Sequence, residues 1–394
     1  MYTQACAVAP PLLTVVAFGA TVPAAELGFF SVLLGIITPI VGASGLGLSQ
    51  IYATTPSEKF PLQHFYLSRW CVSFPICIAL IFSSCFLLSD WPLAAGIVIL
   101  RFSDLLWEVV VCDLRKRNYV TTAALAATGQ AACHIFPVVV HLLARQEISH
   151  TVFSQAILAT TCALLYIHFS LGIKWASGCP AQMIGLLSIY RRRIIQLIAT
   201  MTCVLVGGAI PRFAAACLLS VADAGLVHLS TLGAGVVTVL LQGAFLVNFP
   251  RVAPNGEFIY ASARDQRSRQ LRLGAPLCLV FCVLVYAIYP ALGDSFDQIR
   301  ALAATLAWAP LIGILTVHFS YMLFCDTTGK SQSIHAATML PVSASVYFSS
   351  FWLWGISGII AAEFLRAFLS SVAMSFIAKK WANRLLPITH HTRT

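Results

Sequence analysis

Ionisable residues interrupt several stretches that are otherwise almost wholly apolar. Arg101, Asp104 and Glu108 are spaced three and four apart, which puts all three on one face if the segment is helical. Such a face either lines a polar cavity, where a carboxylate can bind a coupling cation, or forms a self-neutralising cluster between helices. Ile210-Pro211-Arg212 sets a cation beside a proline, with Gly207 and Gly208 just before it. Proline frees a carbonyl one turn earlier and bends the helix. A guanidinium there can hold phosphate in a two-point contact or reach the headgroups from a kink. Glu363 and Arg366, three apart, read first as a mutual ion pair. Thr238 and Gln242 face one way, and Asn248 ends the same segment. Polar glue between helices and the lining of a site explain these three equally well. His134, His141, His168 and His318 read as packed or interfacial residues more readily than as a proton relay.

The elements that must position these groups follow from composition. Of 394 residues, 59% are hydrophobic and only 10% are charged. A soluble chain carries about 25% charged residues. The charges cluster, and the stretches between clusters are about twenty residues long, enough for a helix to cross a hydrocarbon core of about 30 Å. Twelve spans are expected, at 6–24, 29–49, 66–88, 91–112, 119–143, 153–173, 194–219, 225–248, 273–292, 301–324, 334–352 and 356–378. The chain is therefore expected to be an all-α integral membrane protein. Segment 6–22 has no basic flank and no convincing cleavage site, so it reads as the first span and not as a signal peptide.

Orientation follows from the positive-inside rule. With both termini inside, nineteen of the 24 Lys and Arg residues fall on the cytoplasmic side, Arg69 among them at the mouth of its span. Arg145 and Arg300 fall outside, and Arg101, Arg212 and Arg366 lie within spans. The outer loops are short and often acidic, with Glu26, Asp90, Glu147, Asp223, Asp294 and Asp297. The net charge of +10 then reflects topology and contact with anionic lipid, and does not indicate nucleic acid. Connection 174–193 holds Trp175, Met183, Leu186, Leu187, Ile189 and Tyr190 before three arginines, a pattern suited to an interfacial helix. It divides the chain into a six-span lobe at 1–173 and a second at 194–394 with a short cytoplasmic tail. That spacing suits a transporter built from two repeats.

Thirteen cysteines, mostly inside apolar spans, show no paired or metal-ligand spacing. No catalytic constellation emerges, and no cofactor is expected. Gly45-Leu46-Gly47 lies in apolar helix and indicates close packing or bending, not phosphate binding.

Several stretches carry a family resemblance. Ile210-Pro211-Arg212-Phe213, Ala222-Asp223-Ala224-Gly225, Gly233 to Leu241 and Asn248-Phe249-Pro250-Arg251-Val252-Ala253 together resemble the seventh-to-eighth helix region of polysaccharide flippases of the O-antigen type. Glu26-Leu27-Gly28-Phe29-Phe30 followed by Gly45-Leu46-Gly47-Leu48 is similar to an earlier part of that family. Arg101-Phe102-Ser103-Asp104 through Leu114-Arg115-Lys116-Arg117 is similar to its fourth helix and basic cytoplasmic exit. The resemblance implies the multidrug/oligosaccharidyl-lipid/polysaccharide exporter fold (MATE-like), two six-helix lobes around a central cavity. It implies a cargo of undecaprenyl-pyrophosphate-linked oligosaccharide, flipped across a bacterial inner membrane, with polysaccharide polymerase or chain-length machinery as partners beyond the bilayer. The family's cationic cavity carries over onto Arg101 and Arg212, and further onto Arg251 and Arg366. Gln242 and Asn248 would line it. Asp104, Glu108 and Glu363 are the candidates for coupling to H⁺ or Na⁺. The first two helices hold no arginine, which argues against a peptidoglycan precursor as cargo. A drug or metabolite antiporter of the same fold, a membrane-embedded enzyme and a non-transporting scaffold remain as competing expectations.

Overall fold

The computed structural model describes residues 2–54, 62–117, 119–171, 180–246, 256–314 and 330–389. Among them every regular element is helical. In chain order these are α1 (Tyr2–Thr21), α2 (Ala24–Ser44), α3 (Leu48–Thr54), α4 (Leu62–Leu87), α5 (Trp91–Lys116), α6 (Val120–Ala144), α7 (Ile148–Leu171), α8 (Pro180–Ile189), α9 (Arg191–Leu218), α10 (Val221–Leu246), α11 (Gly256–Leu292), α12 (Asp294–Leu306), α13 (Ala309–Ile314), α14 (Lys330–Trp354) and α15 (Gly358–Thr389). Each of the twelve expected spans overlaps at least one of these helices, the second reaching into α3 and the tenth covering part of α12 and all of α13. Eight stretches of the described residues meet the length and apolarity needed to cross a bilayer, the last of them holding both α14 and α15. This is a multi-pass membrane protein.

Polarity is arranged accordingly. Phe82, Phe86, Leu143, Phe169, Trp352 and Phe376 are exposed. Arg69, Asp113, His141 and Gln155 are almost wholly buried. In water this arrangement would be unstable, whereas in hydrocarbon the apolar surface costs nothing and the polar groups find partners inside.

The chain separates into two compact units, Tyr2–Ala209 and Ile210–Thr394, and the boundary falls within α9. In the first unit α5 is central and packs against α2, α4, α6 and α7. Its contact with α7 is close because both faces are small. Ala94, Ala95 and Gly96 are buried on α5 and Ala156, Ala159 and Ala163 on α7, and Gly96 lies against Val152 and Phe153. Small residues let membrane helices approach closely and gain dispersion contacts. The second unit holds α10, α11 and α12 packed together, and α14 and α15 folded back on each other across the 3₁₀ turn Gly355–Ser357. Gly355 takes φ 56° there. A Cβ on Gly358 would fall 2.2 Å from the Ser350 carbonyl, so only glycine closes this hairpin.

Two expected spans differ in outline. The second, 29–49, stops at Ser44. Leu46 and Gly47 both turn left-handed, with φ of 57° and 60°, and the chain restarts as α3. Gly45-Leu46-Gly47 is thus both a helix end and a close-packed point, since a Cβ on Gly47 would fall 2.7 Å from Leu197 Cβ and one on Gly45 3.0 Å from the Leu105 side chain. The tenth, 301–324, begins earlier at Asp294 and breaks after Leu306. Pro310 lacks the amide to continue that helix and sits instead in the first turn of α13. The ninth helix extends back to Gly256, as its polar, basic approach implied. The expected interfacial segment 174–193 contains α8, and 172–179 lies outside the described residues.

Gly96 offers a direct test of the α5–α7 contact. A Cβ there would meet Phe153 backbone nitrogen at 3.1 Å, a neighbour that cannot swing away. Gly96→Val should therefore lower the stability of the purified protein by about 1–3 kcal/mol, read as a lower melting temperature in detergent. An unchanged melting temperature would contradict the close approach.

Candidate functional site

The charges that the sequence placed on one helix face are matched with partners from other helices. Arg69 lies two turns into α4, and its side chain is 1% exposed. It is not at a helix mouth, because α4 starts at Leu62, earlier than the span drawn from 66. Its Nη1 donates to the Leu105 carbonyl on α5. Its Nη2 donates to the Gly45 carbonyl at 3.4 Å and to Glu108 Oε2 at 3.3 Å. Ser73, one turn further along α4, donates to the Ser44 carbonyl at 2.9 Å. The last carbonyls of a helix have no partner of their own, and the negative end of its dipole favours a cation. Arg69 and Ser73 therefore cap the end of α2. Glu108 also accepts from the Ser49 hydroxyl of α3 at 2.5 Å. One guanidinium thus ties α2, α4 and α5, and its carboxylate partner adds α3.

A second cluster forms one turn of α5 away. Arg101 Nη1 donates to Asp104 Oδ2 at 2.8 Å. The other carboxylate oxygen accepts from Gln130 Nε2 of α6 at 3.3 Å and lies 3.5 Å from His134 Nε2. Gln155 of α7 donates to the His134 carbonyl at 2.7 Å and to the Thr14 hydroxyl of α1 at 3.0 Å. Four helices therefore share one polar network. It is not sealed, since the Arg101 and Asp104 side chains remain 22% and 30% exposed. Arg101 touches Asp104 through one nitrogen, and its Nε is buried without an acceptor among the described residues. The guanidinium has donors to spare.

In the second unit the pair expected from the i+3 spacing is present. Arg366 gives both Nε and Nη2 to Glu363 Oε2, at 3.2 and 2.7 Å. Its Nε also reaches the Tyr347 hydroxyl at 3.1 Å, and Tyr347 in turn donates to Glu363 Oε1. Arg366 is thereby occupied in a way that Arg101 is not. Arg212 lies on α9 directly after the buried Pro211, and its side chain is partly exposed. Thr238 turns its hydroxyl back onto the Ala234 carbonyl at 2.7 Å. Arg251, Asn248, His318 and the side chain of Gln242 lie outside the described residues.

Of the other histidines, His141 is buried between Thr21 at 2.8 Å and Thr151 at 3.0 Å and packs edge-on against Phe18, as a packed residue does. His134 joins Asp104 as described, and His168 stacks on Phe169 near the end of α7. Tyr52 of α3 donates to the buried Asp113 at 2.5 Å, which Arg117 also meets at 3.0 Å. Burial, with Asp113 beside it, pushes the Tyr52 phenol well above its usual range and keeps it a donor. Sequence reasoning missed Arg69, Gln130, Tyr52, Asp113 and Tyr347 as members of these clusters. Apart from the i+4 contact of Asp113 with Arg117, their partners are 16 to 61 residues away, beyond any local spacing rule.

No protein-family model matches the sequence, nor does any curated protein. Solved structures do match in fold. An inward-closed structure of the lipid II flippase MurJ is similar with a TM-score of 0.67 at 13% identity, over 100% of this chain and 92% of that one. An inward-facing multidrug-resistance MATE transporter of the MOP superfamily is similar with a TM-score of 0.64 at 13% identity, over 96% of both chains. A MATE protein in complex with MaL6 is similar with a TM-score of 0.63 at 12% identity, over 97% and 95%. The chain has the fold of these transporters and flippases.

The buried ion pair is open to measurement. Arg69→Leu leaves Glu108 with only the Ser49 hydroxyl and takes the donor from the Gly45 carbonyl at the end of α2, and should cost about 3–5 kcal/mol. Adding Glu108→Gln should return part of that loss. A double variant no better than the single would show that the pair is not coupled.

Proposed function

We propose that the chain is a flippase that moves undecaprenyl-pyrophosphate-linked oligosaccharide, an O-antigen or related repeat unit, across a bacterial inner membrane by alternating access. The observation that carries this reading is Arg101. It sits in an apolar helix, partly exposed, and meets its carboxylate through a single nitrogen. A guanidinium that meets the protein through one nitrogen suits a phosphate oxygen, whereas Arg366 gives two nitrogens to Glu363 and Tyr347, as a structural cation does. The pyrophosphate is anionic and the sugar strongly hydrated, so both need a polar path, while the polyprenyl tail stays in lipid. Arg212, beside Pro211 on α9, would supply a second cation. Coupling to H⁺ or Na⁺ would fall to Asp104 or Glu108. Both termini and the basic residues of the cytoplasmic side other than the buried Arg69 would face the cytoplasm, where they raise the local concentration of anionic headgroups.

The likeness to a lipid II flippase supports transport of a lipid-linked cargo. Lipid II itself is disfavoured by the absence of arginine from the first two helices. The equal likeness to MATE transporters supports a second reading, a drug or metabolite antiporter using the same carboxylates.

A deletion strain separates the two readings. It should accumulate lipid-linked oligosaccharide on the cytoplasmic leaflet, whereas the antiporter reading expects drug sensitivity and normal glycan export. Arg101→Ala should lower flipping about tenfold or more, since a charge-assisted contact contributes about 1.5–3 kcal/mol, with protein abundance near normal. Collapse of abundance instead would assign Arg101 to structure. Asp104→Asn combined with Glu108→Gln should abolish ion-driven transport, and unchanged transport would reject both as coupling sites.

A further inference from the structure

A cavity of about 500 Å³ opens in the first unit between α5, α6 and α7, away from the Arg101 and Arg69 clusters. Its polar end is built by Arg117, Tyr119, Thr122 and Asp113, and its apolar walls include Trp107, Leu125 and Ala126. The far end on α6 is Gly129, which has open space where a side chain would be. Tyr119 to Gly129 spans about 15 Å along a helix axis. That is half of a hydrocarbon core of about 30 Å, the depth of one leaflet.

The surroundings say what the mouth faces. Along α6 the exposed positions include Leu125, Phe136, Val139 and Leu143. These recur on one helical face, with no charged residue among them and the exposed Thr128 turning its hydroxyl back onto the Ala124 carbonyl, as suits a lipid-facing stripe. Leu125, on the cavity wall, belongs to that stripe and is 67% exposed. The polar end sits beside Arg115-Lys116-Arg117, at the level where the proposed orientation puts the cytoplasmic headgroups. Arg117 is half-exposed there, meeting Asp113 through Nε. Asp113 is wholly buried beneath it and is also met by Tyr52.

We infer that this cavity is a lateral binding site for an anionic, phosphate-headed lipid. The phosphate lies on Arg117 with Tyr119 and Thr122 beside it, and the chain runs along the groove to Gly129. The ligand chemistry is shared by an anionic phospholipid and by a polyprenyl phosphate. The site does not depend on the flippase reading, because it is separate from the clusters on which that reading rests.

The test uses the full chain purified in mild detergent, with phosphatidylglycerol, phosphatidylethanolamine or a polyprenyl phosphate added, and native mass spectrometry to count lipids retained. One anionic lipid should be held per chain, and the zwitterionic lipid about tenfold less often. Arg117→Ala should lower retention about tenfold. Gly129→Leu should do the same by filling the groove. Nothing lies within 4 Å of the Gly129 Cβ position, so this variant keeps its packing and carries the test should Arg117→Ala fail to fold. Preference for phosphatidylglycerol identifies bulk phospholipid as the occupant, and preference for polyprenyl phosphate identifies the carrier class of the proposed cargo. Equal retention of phosphatidylethanolamine, or full retention by folded Gly129→Leu, overturns the site. Retention without any flipping by the parent chain removes the flippase reading and leaves the site standing.

Discussion

Hydrocarbon offers no partner to a charge or a bare carbonyl, and this constraint organises the whole chain. Every polar group that enters the apolar layer has to be met from within the protein. Helices satisfy most of the backbone, but a helix whose end is buried away from water, as α2 is at Ser44, leaves carbonyls in need of donors. Arg69 and Ser73 of α4 supply the missing donors. The charge of Arg69 then needs an anion, and Glu108 of α5 provides it. One early helix end thus accounts for a buried arginine, its carboxylate and the seating of α3.

The same constraint sorts the arginines. A guanidinium that only holds a fold together uses its donors on the protein. Arg366 meets Glu363 and Tyr347, and Arg69 meets two carbonyls and Glu108 while its Nε, like that of Arg101, is left over. Arg101 keeps donors in reserve and remains partly open. Position within the apolar layer is common to all three, so cost alone does not tell a structural charge from a working one. The number of protein partners among the described residues differs, with three for Arg69, two for Arg366 and one for Arg101.

Much of the fold was legible because apolar length is a strong local signal. A stretch of about twenty residues with almost no charge has few alternatives to a membrane helix. The Glu363–Arg366 pair was legible for a similar reason, since i+3 spacing is a property of one helix. The partners of Asp104 and Glu108 were not. Spacing along α5 joins Arg101 to both carboxylates, yet Glu108 belongs to Arg69, 39 residues earlier in the chain. The break at Leu46 and Gly47 was hidden because its residues are as apolar as a helix interior. Conformation sets it apart, and hydropathy does not. The lateral cavity was equally invisible, because it depends on which side of Gly129 its neighbours leave empty.

The distance in sequence between Arg69 and Glu108 has a meaning for biogenesis. As the chain is made, α4 reaches the insertion machinery carrying a buried arginine whose carboxylate has not yet been synthesised. A lone arginine at the centre of a helix opposes insertion by about 2.5–3.5 kcal/mol. At about 5–20 residues per second the partner, 39 residues behind, follows within about 2–8 seconds. During that interval α4 on its own is a poor membrane helix. It becomes a good one only as half of a hairpin, so α4 and α5 have reason to leave the translocation channel together, with their ion pair already closed.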